Sequence, residues 1–276
     1  MRSKANIVKH LANSAITPRL LTIAGYDPSS GAGVTADLQV FSSQGFTGIS
    51  AITALTVQGS QGVQRVEPVT PDLLAETLDF LAQNGTIEGI KIGMLGTAAL
   101  VKVVTNFLKR SPAPLERIVL DPVHRSSSGA ELLDAEGLLL LISDLLPRVG
   151  WLTPNLDEAA ALLSEPVAGR EALPDQAVRL TQQGGEGLNV VITGGHLDPP
   201  DDFLRTAAGE EACVPGERVE PVSVHRSHGT GCVFSSALLC RLVLGDSPRD
   251  AVRHAKQCVV DRLLAKGPLA ARSSRP

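Results

Sequence analysis

Short apolar runs alternate along this chain with longer stretches whose apolar residues recur at helical spacing. Runs that are bounded by turn residues and typical of buried strands cover residues 20–24, 48–57, 89–92, 117–120, 149–152 and 188–192. The stretches between them predict helices over residues 36–44, 71–83, 97–109, 135–146, 156–163 and 170–183. Parallel strands need crossover connections of about a dozen residues or more. The alternation therefore predicts an α/β fold with a mostly parallel central sheet and helices on both faces.

The predicted architecture is a single three-layer α/β/α domain over residues 17–276, preceded by an N-terminal extension, residues 1–16, that is compatible with a disordered tail. Residues 198–224 break the alternation because they are polar and begin with prolines and aspartates. We expect a hairpin or a loop there, at the edge of the sheet. Two further helices are predicted over residues 231–244 and 248–264.

Charge and composition limit the classes of partner. The formal net charge is −4 and the pI is near 5.9, which argues against the basic surface of a nucleic-acid-binding protein. The sequence shows neither a signal peptide nor an apolar run that predicts a membrane span. The four cysteines lack CxxC spacing, so neither a zinc site nor a disulfide framework is indicated. We expect a cytoplasmic protein with a small-molecule partner, and the open sheet edge is compatible with a homodimer.

Two glycine-rich turns stand at predicted helix starts. The first, residues 25–33, reads Gly-Tyr-Asp-Pro-Ser-Ser-Gly-Ala-Gly, and tight packing is an alternative to ligand binding there. The second comprises His228, Gly229, Thr230, Gly231 and Cys232. Its amides, at the positive end of a helix dipole, could form an anion hole. The same dipole would lower the pKa of the Cys232 thiol, although a small buried thiol is the alternative interpretation.

Further candidates follow predicted strands, at the end where ligands of α/β sheets collect. Asp121 comes directly after one strand, and Asn155 and Glu158 start the helix after the next. A helix cap is the alternative role for Asn155. Residues 194–196, Gly-Gly-His, make another turn that suits a phosphate.

Taken in order, these segments resemble the hydroxymethylpyrimidine and phosphomethylpyrimidine kinases of thiamine biosynthesis, which belong to the ribokinase-like superfamily. The matching segments are residues 21–37, 51–58, 90–95, 119–123, 152–160, 194–197 and 228–236. The resemblance implies transfer of the γ-phosphate of ATP, with Mg²⁺, to a hydroxymethylpyrimidine or to its monophosphate. It also implies a ribokinase-like fold.

The resemblance assigns roles to individual positions of this chain. The pyrimidine pocket would be lined by Gly25, Asp27, Gln58 and Met94. The catalytic anion hole would comprise Gly229, Thr230, Gly231 and Cys232. Contacts to the nucleotide would come from Asp121, Asn155, Thr193 and Gly195, and Mg²⁺ would lie against Asp121 and Glu158.

Some positions depart from the family pattern. Thr193 stands where the family usually has Lys, and residues 127–130 read Ser-Ser-Gly-Ala instead of Lys-Ser-Gly-Asp. Two expected contacts to the nucleotide are therefore missing, unless Arg125 or Arg226 supplies the charge. His124 replaces the usual Met, Tyr26 the usual Thr or Ser, and residues 223–227 lack the customary Asp-Thr. A pyridoxal-type vitamin kinase and a catalytically weakened pyrimidine sensor are the alternative functions.

Overall fold

The computed structural model describes residues 17–59, 62–110, 113–126, 129–219 and 228–264. Its strands are β1 (Arg19–Tyr26), β2 (Thr47–Gly59), β3 (Gly62–Pro68), β4 (Gly89–Ile92), β5 (Ile118–Leu120), β6 (Trp151–Leu152), β7 (Asn189–Ile192), β8 (Asp202–Arg205) and β9 (Glu211–Val214). Its α-helices are α1 (Gly33–Ser43), α2 (Pro71–Gln83), α3 (Ala98–Leu108), α4 (Ala135–Leu140), α5 (Leu156–Leu163), α6 (Leu173–Gly184), α7 (Thr230–Val243) and α8 (Pro248–Leu264). The expectations for residues 1–16, 127–128 and 223–227 lie outside the described residues.

All the strands join one sheet in the order β3-β2-β1-β4-β5-β6-β7-β8-β9. Neighbouring strands in the series β2, β1, β4, β5, β6 and β7 are parallel. At one edge β3 pairs antiparallel with β2, and at the other β8 pairs antiparallel with both β7 and β9. The mostly parallel sheet and the hairpin within residues 198–224 are therefore confirmed. The sequence analysis missed β3, because this edge strand is largely exposed and so lacks the continuous apolar run of a buried strand.

Helices cover both faces of the sheet and enclose two apolar cores. Helices α2 to α6 pack on one face, and α1, α7 and α8 pack on the other. Side chains of a strand alternate between the faces. In β5, Leu120 joins the first core and Val119 joins the second. Strands buried on both sides read as uninterrupted apolar runs, and this is why the sequence revealed them.

Two predicted helices differ in detail from regular α-helices. The helix predicted over residues 135–146 begins as α4, continues through a π turn at Leu141–Leu145 and ends in a 3-10 turn at Leu146–Arg148. The helix predicted over residues 170–183 starts as a 3-10 turn at Arg170–Ala172 before α6. Within the described part of the chain, no helix combines the length and apolar composition needed to cross a bilayer.

A buried ion pair joins the elements beneath the carboxyl ends of the strands. Lys91 of β4 and Asp37 of α1 are both fully buried, and the Lys91 ammonium donates to both carboxylate oxygens of Asp37, at 3.1 and 3.0 Å. The same carboxylate accepts hydrogen bonds from Thr22 of β1 at 2.6 Å and from Ser236 of α7 at 2.8 Å. One side chain, Asp37, therefore connects two strands and two helices of the second face.

Substitution of Lys91 by Met tests this connection. In Lys91→Met, the Asp37 carboxylate stays buried without its cation, and we expect a loss of about 3–5 kcal/mol in the free energy of unfolding. The double variant Lys91→Met/Asp37→Asn removes both charges; the Asn side chain keeps an acceptor oxygen for one of the two hydroxyls, Thr22 or Ser236, and its NH2 group can donate to the other. We expect it to recover most of that loss in urea denaturation. Equal destabilisation of the two variants would contradict the role of charge pairing.

Candidate active site

A cavity of about 820 Å³ opens where the parallel strands end. Its wall includes Tyr26 at the end of β1 and Met94, Asp121, Thr153 and Thr193, which follow β4, β5, β6 and β7. Parallel strands place their carboxyl ends at the same edge of a sheet, and ligands of α/β proteins bind there. The cavity is therefore the candidate ligand site, and both glycine-rich turns contribute to its wall.

The first turn, residues 25–33, is folded around the buried carboxylate of Asp27. This carboxylate accepts hydrogen bonds from the amide of Ser29 at 2.8 Å and its hydroxyl at 2.7 Å, and from the amides of Gly31 and Ala32 at 3.1 and 2.8 Å. Burial alone would raise the pKa of Asp27, but the hydrogen bonds from His228, Ser29 and Ala32 lower it to about 2. Asp27 lines the cavity as predicted, and it also holds the turn together.

The second turn, residues 228–232, packs directly against the first. Gly229 is the N-cap of α7 and has a φ of +75°, and a Cβ at this position would lie 2.1 Å from the carbonyl oxygen of Gly31. Only glycine fits this contact and this conformation. Thr230, Gly231 and Cys232 form the first turn of α7 and lie on the cavity wall. The predicted anion hole therefore faces the cavity.

Arg262 of α8 fixes the two turns together. Its guanidinium is buried and donates hydrogen bonds from Nη2 to the carbonyl oxygen of Gly31 at 2.5 Å and to that of His228 at 3.1 Å. The sequence analysis missed this residue. A signal was present, because Arg262 continues the helical spacing of Ala251 and Ala255, which are fully buried, on the inner face of α8.

His228 makes a second link between the turns and the sheet. Its Nε2 lies 3.2 Å from the Asp27 carboxylate and 2.6 Å from the side-chain nitrogen of Gln58, which is on β2. Gln58 also accepts a hydrogen bond from the Thr56 hydroxyl at 3.3 Å. The family resemblance places Gln58 in the pyrimidine pocket. In the structure Gln58 lines the cavity, but its amide is shared with neighbouring side chains.

Gly25 and Met94 form an apolar part of the wall. A Cβ added to Gly25 would lie 3.0 Å from the sulfur of Met94, so a larger residue would displace the methionine. Met94 packs with Ala54 and Leu132 in a small apolar cluster. Both predicted pocket residues therefore line the cavity, and together they shape its flat, apolar side.

The expectation of a lowered pKa for Cys232 is wrong. Burial raises the pKa of this thiol to about 12, and the negative charges of Asp37 and Asp121 add to the effect. The helix dipole and the Lys91 ammonium do not offset the loss of hydration. The thiol contacts the Asp121 carboxylate and the amide of Gly33. Cys232 is therefore a neutral hydrogen-bonding group at the cavity wall.

Asp121 and Glu158 contribute two carboxyl groups to the cavity wall, and Asp121 lies beside the first turn of α7. Asp121 is buried, accepts a hydrogen bond from the Ser235 hydroxyl at 3.2 Å and lies 4.0 Å from the Lys91 ammonium. Burial raises the pKa of both carboxyl groups, and the charge of Asp121 raises that of Glu158 further. Among the described residues, no group of three or more His, Cys, Asp or Glu side chains forms a complete metal site.

Asn155 and Glu158 also cap α5. The Asn155 side chain accepts from the Glu158 amide at 2.9 Å, and the Glu158 carboxylate accepts from the Asn155 amide at 2.9 Å. This reciprocal pair is a capping box. The cap interpretation is therefore confirmed for Asn155, while both side chains still line the cavity.

The turn after β7 contributes one predicted residue to the wall and not the other. Thr193 lines the cavity, and its amide donates to the carbonyl oxygen of Pro154 at 2.8 Å. Gly195 is exposed and lies outside the lining residues. The next residue, His196, lines the cavity again, and the Gly194 amide donates to the Asp202 carboxylate at 3.0 Å. Gly195 is therefore the predicted site residue that does not line the cavity.

The sheet order, the paired glycine turns and the cavity at the strand ends define a ribokinase-like small-molecule kinase. The structure is similar to the phosphomethylpyrimidine kinase of Clostridium difficile 630, with a TM-score of 0.76 and 30% identity over 88% of this chain and 98% of that one. It is also similar to the pyridoxal kinase of Staphylococcus aureus, with a TM-score of 0.79 and 29% identity over 90% of this chain and 89% of that one.

The chain belongs to the phosphomethylpyrimidine kinase family, whose model matches residues 27–272. It is 42% identical over 239 residues to the hydroxymethylpyrimidine/phosphomethylpyrimidine kinase of Salmonella typhimurium, a span that covers 86% of this chain and 87% of that protein. The resemblance derived from the sequence motifs is confirmed.

The lowered pKa of Asp27 predicts a specific dependence of stability on pH. Its pKa falls from 3.8 to about 2 on folding, so the carboxylate contributes stability above its unfolded pKa and loses it as the pH falls to about 2. We expect wild type to exceed Asp27→Asn by about 2 kcal/mol in free energy of unfolding above about pH 5. The difference should shrink below about pH 4. The exposed Asp72→Asn serves as control, and a pH-independent difference would contradict the assignment.

The raised pKa of Cys232 predicts an unreactive thiol. Because only the thiolate reacts with iodoacetamide, we expect no alkylation of Cys232 in the folded protein at about pH 8, while the exposed Cys213 is labelled. Mass spectrometry of peptides from folded and urea-unfolded protein measures both sites. Labelling of Cys232 in the folded protein as fast as that of Cys213 would show that its thiol is activated.

Proposed function

We propose that the protein transfers the γ-phosphate of ATP to 4-amino-5-hydroxymethyl-2-methylpyrimidine, to its monophosphate, or to both, in thiamine biosynthesis. The observation that carries the proposal is the position of residues 229–232, whose helix N-terminus faces the same cavity as Gly25, Gln58 and Met94. A phosphate at this turn and a planar ring at the apolar wall would occupy one continuous space. Membership of the family supports the choice of substrate.

The turn would bind the transferred phosphate through backbone amides and the dipole of α7. The interlocked geometry of Gly229 against Gly31, fixed by Arg262, preorganises those amides. A loose phosphoryl-transfer transition state needs mainly positioning and charge stabilisation, with little demand for a strong base. A neutral Cys232 suits such a reaction as a small hydrogen-bonding group beside the substrate hydroxyl.

The nucleotide would lie against Asp121, Asn155 and Thr193. The Staphylococcus aureus pyridoxal kinase has been solved in complex with AMP-PCP, which supports ATP as the phosphate donor for a chain of this fold. Asp121 and Glu158 fit Mg²⁺, because both are buried carboxyl groups, Lys91 offsets the charge of Asp121 only in part, and Mg²⁺ commonly takes one or two carboxylates plus phosphates. When bound, Mg²⁺ supplies charge stabilisation to the transferred group.

The direct test is release of ADP by the purified protein with ATP, Mg²⁺ and the hydroxymethylpyrimidine. We expect turnover by wild type and a loss of at least about 100-fold in Gly229→Ala, because its Cβ cannot fit against Gly31 and the amides lose their alignment. Gly231→Ala is the matched variant, since its Cβ would lie 3.8 Å from the Asp121 carboxylate, an ordinary contact, and we expect a smaller loss. Absence of turnover by wild type on any pyrimidine would overturn the proposal.

A pyridoxal kinase is the second candidate, supported by the similarity to the pyridoxal kinase of Staphylococcus aureus, with a TM-score of 0.79. A side-by-side panel of the hydroxymethylpyrimidine, its monophosphate and pyridoxal, compared by kcat/KM, separates the two. A weakened sensor would instead bind the pyrimidine in calorimetry and bind no ATP.

We place the reaction in the cytoplasm. A homodimer stays a prediction that sedimentation velocity tests.

A further inference from the structure

The cavity wall carries many more acidic than basic side chains. Within the described part of the chain, the acidic lining residues are Asp27, Asp121, Asp157, Glu158 and Glu165. Among those same lining residues, Arg125 is the one side chain with a permanent positive charge. A nucleoside triphosphate carries several negative charges, so a kinase cavity with a mainly acidic wall needs cations to offset the charge of the phosphates.

The other basic groups near the cavity are less suited than Arg125 to binding the phosphates of a nucleotide. Lys91 lies behind the wall, fully buried, and donates to both carboxylate oxygens of Asp37. Burial lowers the pKa of His124, and the positive charge of Arg125 lowers it further, so His124 is neutral at neutral pH. The His228 ring is engaged by Asp27 and Gln58. His196 also lines the cavity, but among the described lining residues Arg125 is the one side chain whose positive charge is permanent.

Within the part of the chain that the structure describes, the guanidinium of Arg125 has no charged partner. Among the described residues, it forms neither an ion pair nor a side-chain hydrogen bond, although Glu131 is its partner across a β-bridge. Its side chain is exposed at the cavity wall. An arginine that stands unpaired beside an acidic cavity is available to bind an anionic ligand.

The backbone beneath Arg125 is fixed on both sides. The carbonyl oxygen of His124 accepts from the Leu132 amide at 2.8 Å, and the Ser126 amide donates to the carbonyl oxygen of Ala130 at 2.8 Å. Leu132 is buried against Met94 in the apolar wall of the pyrimidine pocket. The charge of Asp157, at the start of α5, acts on the neighbouring His124. Arg125 therefore lies on a segment that contacts the apolar wall, in the same cavity that α5 lines.

We propose that Arg125 binds the β- and γ-phosphates of the nucleotide and supplies the cation that the turn after β7, with Thr193, lacks. The inference rests on the proposed kinase function and names a residue for it. The guanidinium would donate two parallel hydrogen bonds to phosphate oxygens. Its charge would offset the negative charge of the phosphate chain beside the acidic wall. The turn at residues 229–232 would hold the transferred group from the opposite side.

The experiment measures the affinity of AMP-PCP and of AMP by calorimetry, and KM by turnover, in wild type and in Arg125→Gln. We expect Arg125→Gln to weaken AMP-PCP binding by at least about tenfold, to leave AMP within about twofold, and to leave KM for the pyrimidine unchanged. Raising the KCl concentration should weaken AMP-PCP binding more steeply in wild type than in Arg125→Gln, because a charge contact is screened by salt. Arg125→Lys should keep part of the affinity.

A complementary variant tests whether charge itself matters. Thr193 lines the same cavity, so Thr193→Lys in the Arg125→Gln background returns one cation to the wall, and we expect it to restore most of the AMP-PCP affinity. Arg253→Gln, an exposed arginine of α8 outside the cavity wall, is the matched control and should behave as wild type. Thermal melts of all variants report folding.

Three results would overturn the assignment: AMP-PCP affinity in Arg125→Gln within twofold of wild type, a rise in KM confined to the pyrimidine monophosphate, or no recovery with Thr193→Lys. The second result would assign the guanidinium to the phosphate of the substrate. Calorimetry with AMP-PCP needs no turnover, so failure of the proposed reaction in wild type leaves the nucleotide measurement readable and the two failures are distinguishable.

Discussion

The buried carboxylate of Asp37 is the contact on which the arrangement of the site depends. The carboxylate belongs to α1 and receives hydrogen bonds from β1, β4 and α7. The first turn follows β1, Met94 follows β4, and the predicted anion hole is at the start of α7. A charged group that is buried away from water is stable only when it has a countercharge and hydrogen-bond partners. The Lys91 ammonium supplies the countercharge and also lies 4.0 Å from the Asp121 carboxylate. The buried ion pair therefore acts electrostatically on a residue of the cavity wall.

At the cavity wall, the two glycine-rich turns pack against each other, and a buried arginine forms hydrogen bonds to both. Gly229 has no room for a side chain against Gly31, and Arg262 donates to the carbonyl oxygens of both turns. His228 then joins the second turn to Asp27. The two turns are thus joined by direct contacts, which is the kind of preorganisation that the proposed phosphoryl transfer would require.

Much of the fold was predictable because parallel strands buried on two faces leave continuous apolar runs, and helices leave an apolar stripe. The edge strand β3 was missed because its residues are exposed and carry no such run. The turn at residues 228–232 and the cavity position of Asp121 were also predictable, since glycine-rich helix starts and strand ends have local signatures. The ionisation of Cys232 was not, because its pKa depends on burial and on distant carboxylates.

The sequence by itself determined the fold class, the family and the two turns, because each rests on residues that are close together along the chain. Only the tertiary structure decided which groups face one another. Arg262 reaches the first turn across 231 positions of the sequence, and Lys91 reaches Asp37 across 54. It also decided that Arg125 lines the cavity while Gly195 does not. Such contacts depend on how whole elements pack, and local spacing carries no record of that packing.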